Sequence, residues 1–366
     1  MKTAIATMMK LTLMLMLLFC VFFLISCSKA STIPEKKEKE KVLHELPLEY
    51  ENFRKIIGWV SDEEVLVHAV KEKRDMLYLF NLFNGKLTTV YEADAIILTA
   101  VISEDKQKIF IQTVGEDNRE LKIINLSGTI EQKTTIQTNG YLNINWNPVD
   151  QNNLFISYYK HEEEMIVQKW DIKTNQITDV KSSSLTPIWY SANLYLYVDN
   201  LNDFSLQTGN LYMGDIRTKK VTQIRSQVAD FYLNNDTFIT FSPSDFSKDE
   251  LLLNRQYPFM VDNGFITIPK VSMNDRLVFP YLTQSSREQA IYGIFAKNST
   301  QLEIKSGDFQ FSKLNFDTQK IEPIIDLPDN APISISKDGN YSLYGWRYEY
   351  MIDLEKQKLY PLIQSE

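Results

Sequence analysis

Cysteine, histidine and glycine are all scarce in this chain, and each scarcity excludes something. There are two cysteines, Cys20 and Cys27, and Cys20 lies within the one long uncharged apolar run, Leu11 to Ser26. If that run is a leader that is cut away, a single cysteine remains and no intrachain disulfide can form. The domain must then be held by its core, which is feasible at this length. There are three histidines, His44, His68 and His161. The stretch His161 to Met165, "HEEEM", opens like a zinc-protease helix, but Met165 stands where the second histidine is needed, so no metal site is expected there. With only 12 glycines, turns must rely on Asn, Asp and Ser, which tolerate the required backbone angles or hydrogen-bond locally.

Other signposts are missing as well. No nucleophile elbow of the form G-x-S-x-G, no P-loop and no dinucleotide glycine fingerprint occurs. "DNLND", Asp199 to Asp203, gathers oxygen ligands in a loop, but Leu201 and Phe204 break the spacing of a calcium loop. No cofactor is therefore expected. Loss of Lys2 and Lys10 with the leader, and of no acid, takes the net charge from -8 to -10. Phosphate backbones are repelled by such a chain, which argues against nucleic-acid partners.

The N-terminus has the layout of a secretory leader. Met1 to Lys10 carries Lys2 and Lys10 and no acid, and the uncharged stretch to Ser26 is short of the roughly 20 residues a bilayer span requires. Its end, Leu24-Ile25-Ser26-Cys27, resembles the lipobox of bacterial lipoproteins, with Ile25 departing from the usual small residue. The resemblance implies a signal peptide over 1–26 and a mature chain that starts at Cys27, its sulfur carrying diacylglycerol with acyl chains such as palmitate. Two acyl chains give stable anchoring where one holds marginally. The alternatives are an uncleaved anchor, or secretion with Cys27 as a bystander. Residues 27–48 follow as a charged tether containing "EKKEKEK", Glu35 to Lys41, too poor in apolar side chains to order itself.

From 49 to 366 the texture is uniform. Apolar bursts of four to six residues alternate, as in "KIFIQTV" and "NLYLYVDN", which is strand periodicity. Two kinds of turn recur. One begins with Asn or Asp and an aliphatic, at Asn81, Asn125, Asp171, Asp215, Asn315 and Asp353, at intervals of 44, 46, 44, 100 and 38. The other precedes it, at Ser61, Ser103, Asn147, Ser191 and Ser336, with turn-like "NND" at Asn234 and "SMND" at Ser272 inside the long interval.

Repeats of this length with about four short strands each predict an all-β fold, a β-propeller of four-stranded antiparallel blades. A sandwich or β-helix built from similar hairpins is the competing reading. The span from Ile56 to Ile363 divided by the repeat length gives seven blades; an enlarged fifth blade gives six.

The lipobox at Cys27, the charged tether, the "SKDGN" turn at Ser336 and the series of Asx-aliphatic hairpins resemble the YqgU-like lipoproteins of Gram-positive bacteria, over nearly the whole chain. That resemblance implies a six-bladed propeller without an assigned activity, and it tips the expected count to six, with seven as the alternative.

Aromatic residues mark the remaining candidate surface. Trp59, Trp146 and Trp189 stand just before turns of their repeats and read first as packing between blades. In "GWRYEYM", Trp346, Arg347, Tyr348 and Glu349 alternate aromatic and charged, and these four are the candidate ligand-binding residues, on a strand with one polar face. No catalytic residue can be named. The function expected is that of a lipid-anchored envelope protein on the extracytoplasmic face of the cell membrane, whose propeller is a non-catalytic scaffold binding an envelope protein, peptide or glycan. The alternative is a hydrolase or lyase with its site in the central funnel.

Overall fold

In a computed structural model, the described residues are 41–115, 118–138, 140, 142–160, 164–199, 208–234, 237–256 and 260–364. Cys27 and the leader lie outside them, as do His161 to Glu163 and most of "DNLND". Every regular element among the described residues is a β-strand. The compact unit runs from Leu43 to Glu366, so it takes in Leu43 to Leu48, which the composition assigned to the tether.

Among the described residues, seven four-stranded antiparallel sheets follow one another, over residues 53–92, 97–136, 143–179, 188–228, 230–269, 282–327 and 333–361. Within each, the strands pair in sequence order and no strand is exchanged between sheets. Seven is the alternative count that the repeat length gives by division, where six is the favoured expectation, because the long interval holds two separate four-stranded sheets.

Period-two alternation explains how the sheets pack. In the second strand of the first sheet, Glu64–Lys71, Val65, Val67 and Ala69 enter one apolar cluster with Leu343, Met351 and Leu362 of the seventh sheet and the residues just after it. Leu66, pointing the other way, joins Ile97, Ile109 and Ile111 of the second sheet. The same split recurs at Phe155, which packs on Trp189 of the fourth sheet at 3.8 Å between ring centroids, while its neighbours Leu154 and Ile156 face the second sheet. Further clusters join the fourth sheet to the fifth, the fifth to the sixth and the sixth to the seventh. Since the seventh also packs on the first, the sheets close into a ring, and each fully buried Val, Leu, Ile or Phe contributes roughly 1.5–3 kcal/mol.

The recurrent turns have a common chemistry. At the hairpin between third and fourth strands, Asn81, Asn125, Asp171, Asp215, Asn315 and Asp353 each accept, through Oδ1, a backbone N–H two to four residues on, at 2.9–3.1 Å. Between first and second strands the acceptors are Ser61, Ser103, Asn147, Ser191 and Ser336.

The long interval is now explained. The fifth sheet lacks an Asx residue at the end of its third strand, Glu250–Gln256, and therefore drops out of the series. "SMND" is not an inner hairpin of a blade. It turns the chain within a small added sheet formed by Val271–Met273, Arg276–Leu277 and Thr300–Gln301, whose pairing of Val271 with Thr300 is parallel. The equivalent turn of the sixth sheet is at Ser285, whose Oγ accepts the Glu288 N–H at 3.4 Å.

Candidate functional site at the central channel

First strands of neighbouring sheets approach one another, Phe53–Trp59 with Ile97–Ile102, Asn143–Trp146 with Ile188–Trp189, and Leu282–Gln284 with Ile333–Ile335. They therefore line the axis, and the space they leave is a channel of about 850 Å³ lined from six of the seven sheets. One end is ringed by turns between first and second strands, bringing Glu104, Lys106, Gln151, Asn234 and Lys337 together. At the other end stand Lys55, Pro332, Trp346 and Tyr348.

Of the expected ligand residues, the structure brings Trp346 and Tyr348 to the channel and ties Arg347 and Glu349 elsewhere. All four lie in the loop between Tyr341–Tyr344 and Tyr350–Asp353, not on a strand, so the alternation read from the sequence does not describe their directions. Tyr348 adopts φ 58°, a left-handed turn that reverses the chain. Trp346 is 61% exposed, donates from Nε1 to Asp329 Oδ2 at 2.9 Å, and meets the Tyr281 ring edge-on at 6.2 Å. Tyr348 is pushed up to about 12 by burial, with Tyr281 adding to the rise, and so stays a neutral hydroxyl.

Arg347 belongs to the seam between the seventh and first sheets. Its backbone N–H and its Nε donate to the Glu349 carboxylate at 2.9 and 3.3 Å, and its Nη1 donates to the Phe53 carbonyl at 3.2 Å. The guanidinium lies over the Tyr50 and Phe53 rings at 4.6 and 5.1 Å, and the Ile56 N–H donates to the Arg347 carbonyl.

Sequence reasoning missed Lys55 and the inner strand of the fifth sheet. Lys55 has no ion pair among the described residues, and the channel walls lower its pKa by burial. Asn234 lines the channel; Asp230 and Tyr232 share its side of Asp230–Asn234 by alternation, and Tyr232 packs against the apolar cluster that joins the fifth sheet to the sixth. Burial raises Asp230 to about 6, against a partial offset from the Phe231 N–H that its carboxylate accepts at 2.8 Å. Tyr232 is raised to about 12 by burial, its hydroxyl hydrogen-bonded to Asn234 Nδ2 at 3.3 Å. Only three-dimensional placement gathers these groups, because their sequence neighbours carry no motif.

His68 sits away from the channel in the second strand of the first sheet. Its Nε2 is 2.6 Å from Asp75 Oδ1, and the other Asp75 oxygen accepts the Ile97 N–H of the second sheet at 3.2 Å. Desolvation, with Arg54 and Lys55 adding to it, lowers the His68 pKa despite the opposing effect of Asp75, and the pair ties two sheets together. No group of three or more His, Cys, Asp or Glu among the described residues could hold a metal ion.

With ring and channel defined, comparison with known proteins is informative. The family model described as "YqgU-like 6-bladed beta propeller domain" matches residues 81–345. The chain belongs to this family. The matched segment begins at the last residue of a third strand and ends just past a second strand, so it holds five whole sheets and parts of the first and seventh.

The uncharacterized lipoprotein YqgU of Bacillus subtilis (strain 168) is 24% identical over 339 residues, covering 90% of this chain and 88% of that one. The crystal structure of uncharacterized protein lmo1340 from Listeria monocytogenes EGD-e is similar with a TM-score of 0.80 at 20% identity, over 89% of this chain and 98% of that one. An oligogalacturonate lyase from Vibrio parahaemolyticus follows with a TM-score of 0.58 at 13% identity, over 80% of this chain and 86% of that one. These structural likenesses are likenesses of fold. Within the family, the YqgU-like propeller and a lipoprotein relative stand together.

Proposed function

We propose that this YqgU-like propeller is a lipid-anchored envelope protein, held through Cys27 on the extracytoplasmic face of the cell membrane, and that it acts as a non-catalytic binding scaffold. The observation that carries the reading is the open channel mouth, where Trp346 offers an exposed ring, Tyr348 a neutral hydroxyl and Lys55 an amine with no ion pair among the described residues. Together these groups can stack, donate and neutralise, which is the chemistry of recognition. The leader, the lipobox-like ending at Cys27 and the lipoprotein relative support the anchor. The ligand set Trp346, Arg347, Tyr348 and Glu349 is retained with a division of labour: Trp346 and Tyr348 contact the ligand, while Arg347 and Glu349 hold the loop that presents them.

The test is metabolic labelling with a fatty-acid analogue, comparing the wild type with Cys27→Ala. Label confined to the wild type, with the variant shed or retained as precursor, supports the anchor; equal label in both removes it. The scaffold reading is tested by retention of envelope components on the wild type and on Trp346→Ala. Turnover of a glycan or peptide by the purified chain would replace it with the hydrolase or lyase reading.

A further inference from the structure

The loop that carries Trp346 and Tyr348 is pinned beside Lys55. The Ile56 N–H donates to the Arg347 carbonyl at 3.0 Å and Arg347 Nη1 donates to the Phe53 carbonyl at 3.2 Å, so the loop grips the first strand on either side of Lys55. Within the seventh sheet, the Gly345 N–H donates to the Pro332 carbonyl and the Tyr348 N–H to the Gly345 carbonyl, each at 3.1 Å. Gly345 takes φ 113°, and a Cβ there would strike the Glu349 carboxylate, so the bend requires glycine. This end of the channel is thus organised before any ligand arrives, which lowers the ordering cost of binding.

Its donors are uncommitted and its acids are not. Lys55 has no ion pair, and the hydroxyls of Tyr281 and Tyr348 have no hydrogen-bond partner, among the described residues. Tyr281 stands edge-on to Trp346 and close enough to Tyr348 to oppose its ionisation. Trp346 has given its one N–H to Asp329, so what it offers is the face of an exposed ring. Asp329 is occupied by that bond and Glu349 by Arg347. At the opposite end of the channel two acids, Glu104 and Asp105, balance two bases, Lys106 and Lys337. The uncompensated positive charge therefore belongs to Lys55.

We propose that the Trp346 end of the channel is a subsite for a pyranose sugar carrying one carboxylate. The inference rests on the scaffold reading given above and names its ligand. A pyranose has an apolar C–H face to lay on the indole and oxygens around its rim to accept from the two tyrosines, while its carboxylate meets the Lys55 ammonium. A fatty or aromatic acid has one polar group and would leave both hydroxyls without acceptors. A peptide brings N–H donors to a place where the acids are already engaged. A phosphomonoester, with a charge near −2, exceeds what a single ammonium neutralises.

The experiment measures equilibrium binding of the purified full chain, in detergent, to two acidic disaccharides and their neutral counterparts. N-acetylglucosaminyl-N-acetylmuramic acid is set against chitobiose, and cellobiouronic acid against cellobiose. At least one acid is expected to bind about ten-fold more tightly than its counterpart, the worth of one charge-assisted hydrogen bond. Which acid does so tells a muramic acid glycan from a uronic acid polymer. Lys55→Gln should bring that acid down to its neutral counterpart and Lys55→Arg should keep the preference, while Trp346→Ala should weaken acidic and neutral sugars alike. Thermal unfolding of each variant separates a lost contact from a lost fold. Equal binding of acid and neutral sugar, a preference that survives Lys55→Gln, no binding of either acid, or tighter binding of glucose 6-phosphate overturns the proposal. Retention of envelope components that depends on Trp346, without binding of either acid, sinks the ligand class and leaves the scaffold reading. Turnover of a bound acid upholds the ligand class and sinks the scaffold reading.

Discussion

Trp59 and Trp189 make the same bond in different places. Trp59 Nε1 donates to the Ser334 carbonyl at 2.8 Å, and Trp189 Nε1 donates to the Asn145 carbonyl at 3.2 Å. Each tryptophan stands two residues before its turn, Ser61 or Ser191, and each acceptor two residues before its own, Ser336 or Asn147. The first sheet therefore meets the seventh as the fourth meets the third, although Trp59 and Ser334 are 275 residues apart. The seam that closes the ring is built like an interior interface.

From this equivalence, Trp59→Phe and Trp189→Phe should cost similar amounts, about 1 kcal/mol each, from one lost hydrogen bond to a half-buried carbonyl. Denaturant unfolding at fixed slope checks it. A Trp59→Phe cost near zero beside a large one at Trp189 would mean that the seam bears little of the stability.

Arg347 separates two roles. As a seam residue, its replacement by alanine should destabilise the chain by about 2 kcal/mol, since the bond to the Phe53 carbonyl and the ring contacts with Tyr50 and Phe53 are lost together. Arg347→Lys should recover only part, because an ammonium cannot reproduce the planar fork. Thermal unfolding measures both; unchanged stability in Arg347→Ala would return the residue to ligand contact.

Asp230 gives the fold a pH dependence of known sign. Its pKa rises from the ordinary 3.8 to about 6 in the folded chain, so folding takes up a proton in that window. Stability contributed by this group therefore falls as pH rises from 3.8 to 6, and the penalty persists above 6. Asp230→Asn should stabilise the protein at pH 7.5 by on the order of 3 kcal/mol and leave it unchanged at pH 3.5. Chemical denaturation at both values tests this, and equal effects at both would contradict it.

The Asx turns should be interchangeable in cost. Asn125 Oδ1 accepts from the Ser127 and Thr129 N–H groups, so Asn125→Ala should cost about 1 kcal/mol and Asn125→Asp much less. Asp353→Ala, which removes the acceptor for the Lys356 N–H, should fall in the same range. Unfolding midpoints of the three variants measure the pattern.

The turns also show why so much of the fold could be read from the sequence. An Asn or Asp that caps a tight hairpin must stand at one position in each sheet, and a Ser or Asn at another, so the repeat is written in single residues. Where the cap is missing, as after Glu250–Gln256, the period breaks and the count blurs. "SMND" has turn chemistry without blade position, and Ser285 has the position within a plain "SSREQ".

The channel was less legible for a related reason. Lys55, Trp346 and Tyr348 come to one end of the channel only after the sheets close, and no local spacing encodes that meeting. Alternation did mark Trp346 to Glu349 as unusual. It could not tell that a left-handed turn at Tyr348 sends Arg347 into the seam instead of along a strand.

The closure of the sheets is the premise on which channel, seam and faces depend. Spin labels in the Cys27→Ser chain, paired between Lys86 and Glu355 and between Lys86 and Lys219, report it by dipolar distance. These sites lie on third-to-fourth-strand turns of the first, seventh and fourth sheets. A closed ring makes the first pair the nearer one with a narrow distribution; a longer or broad Lys86–Glu355 distance would contradict it.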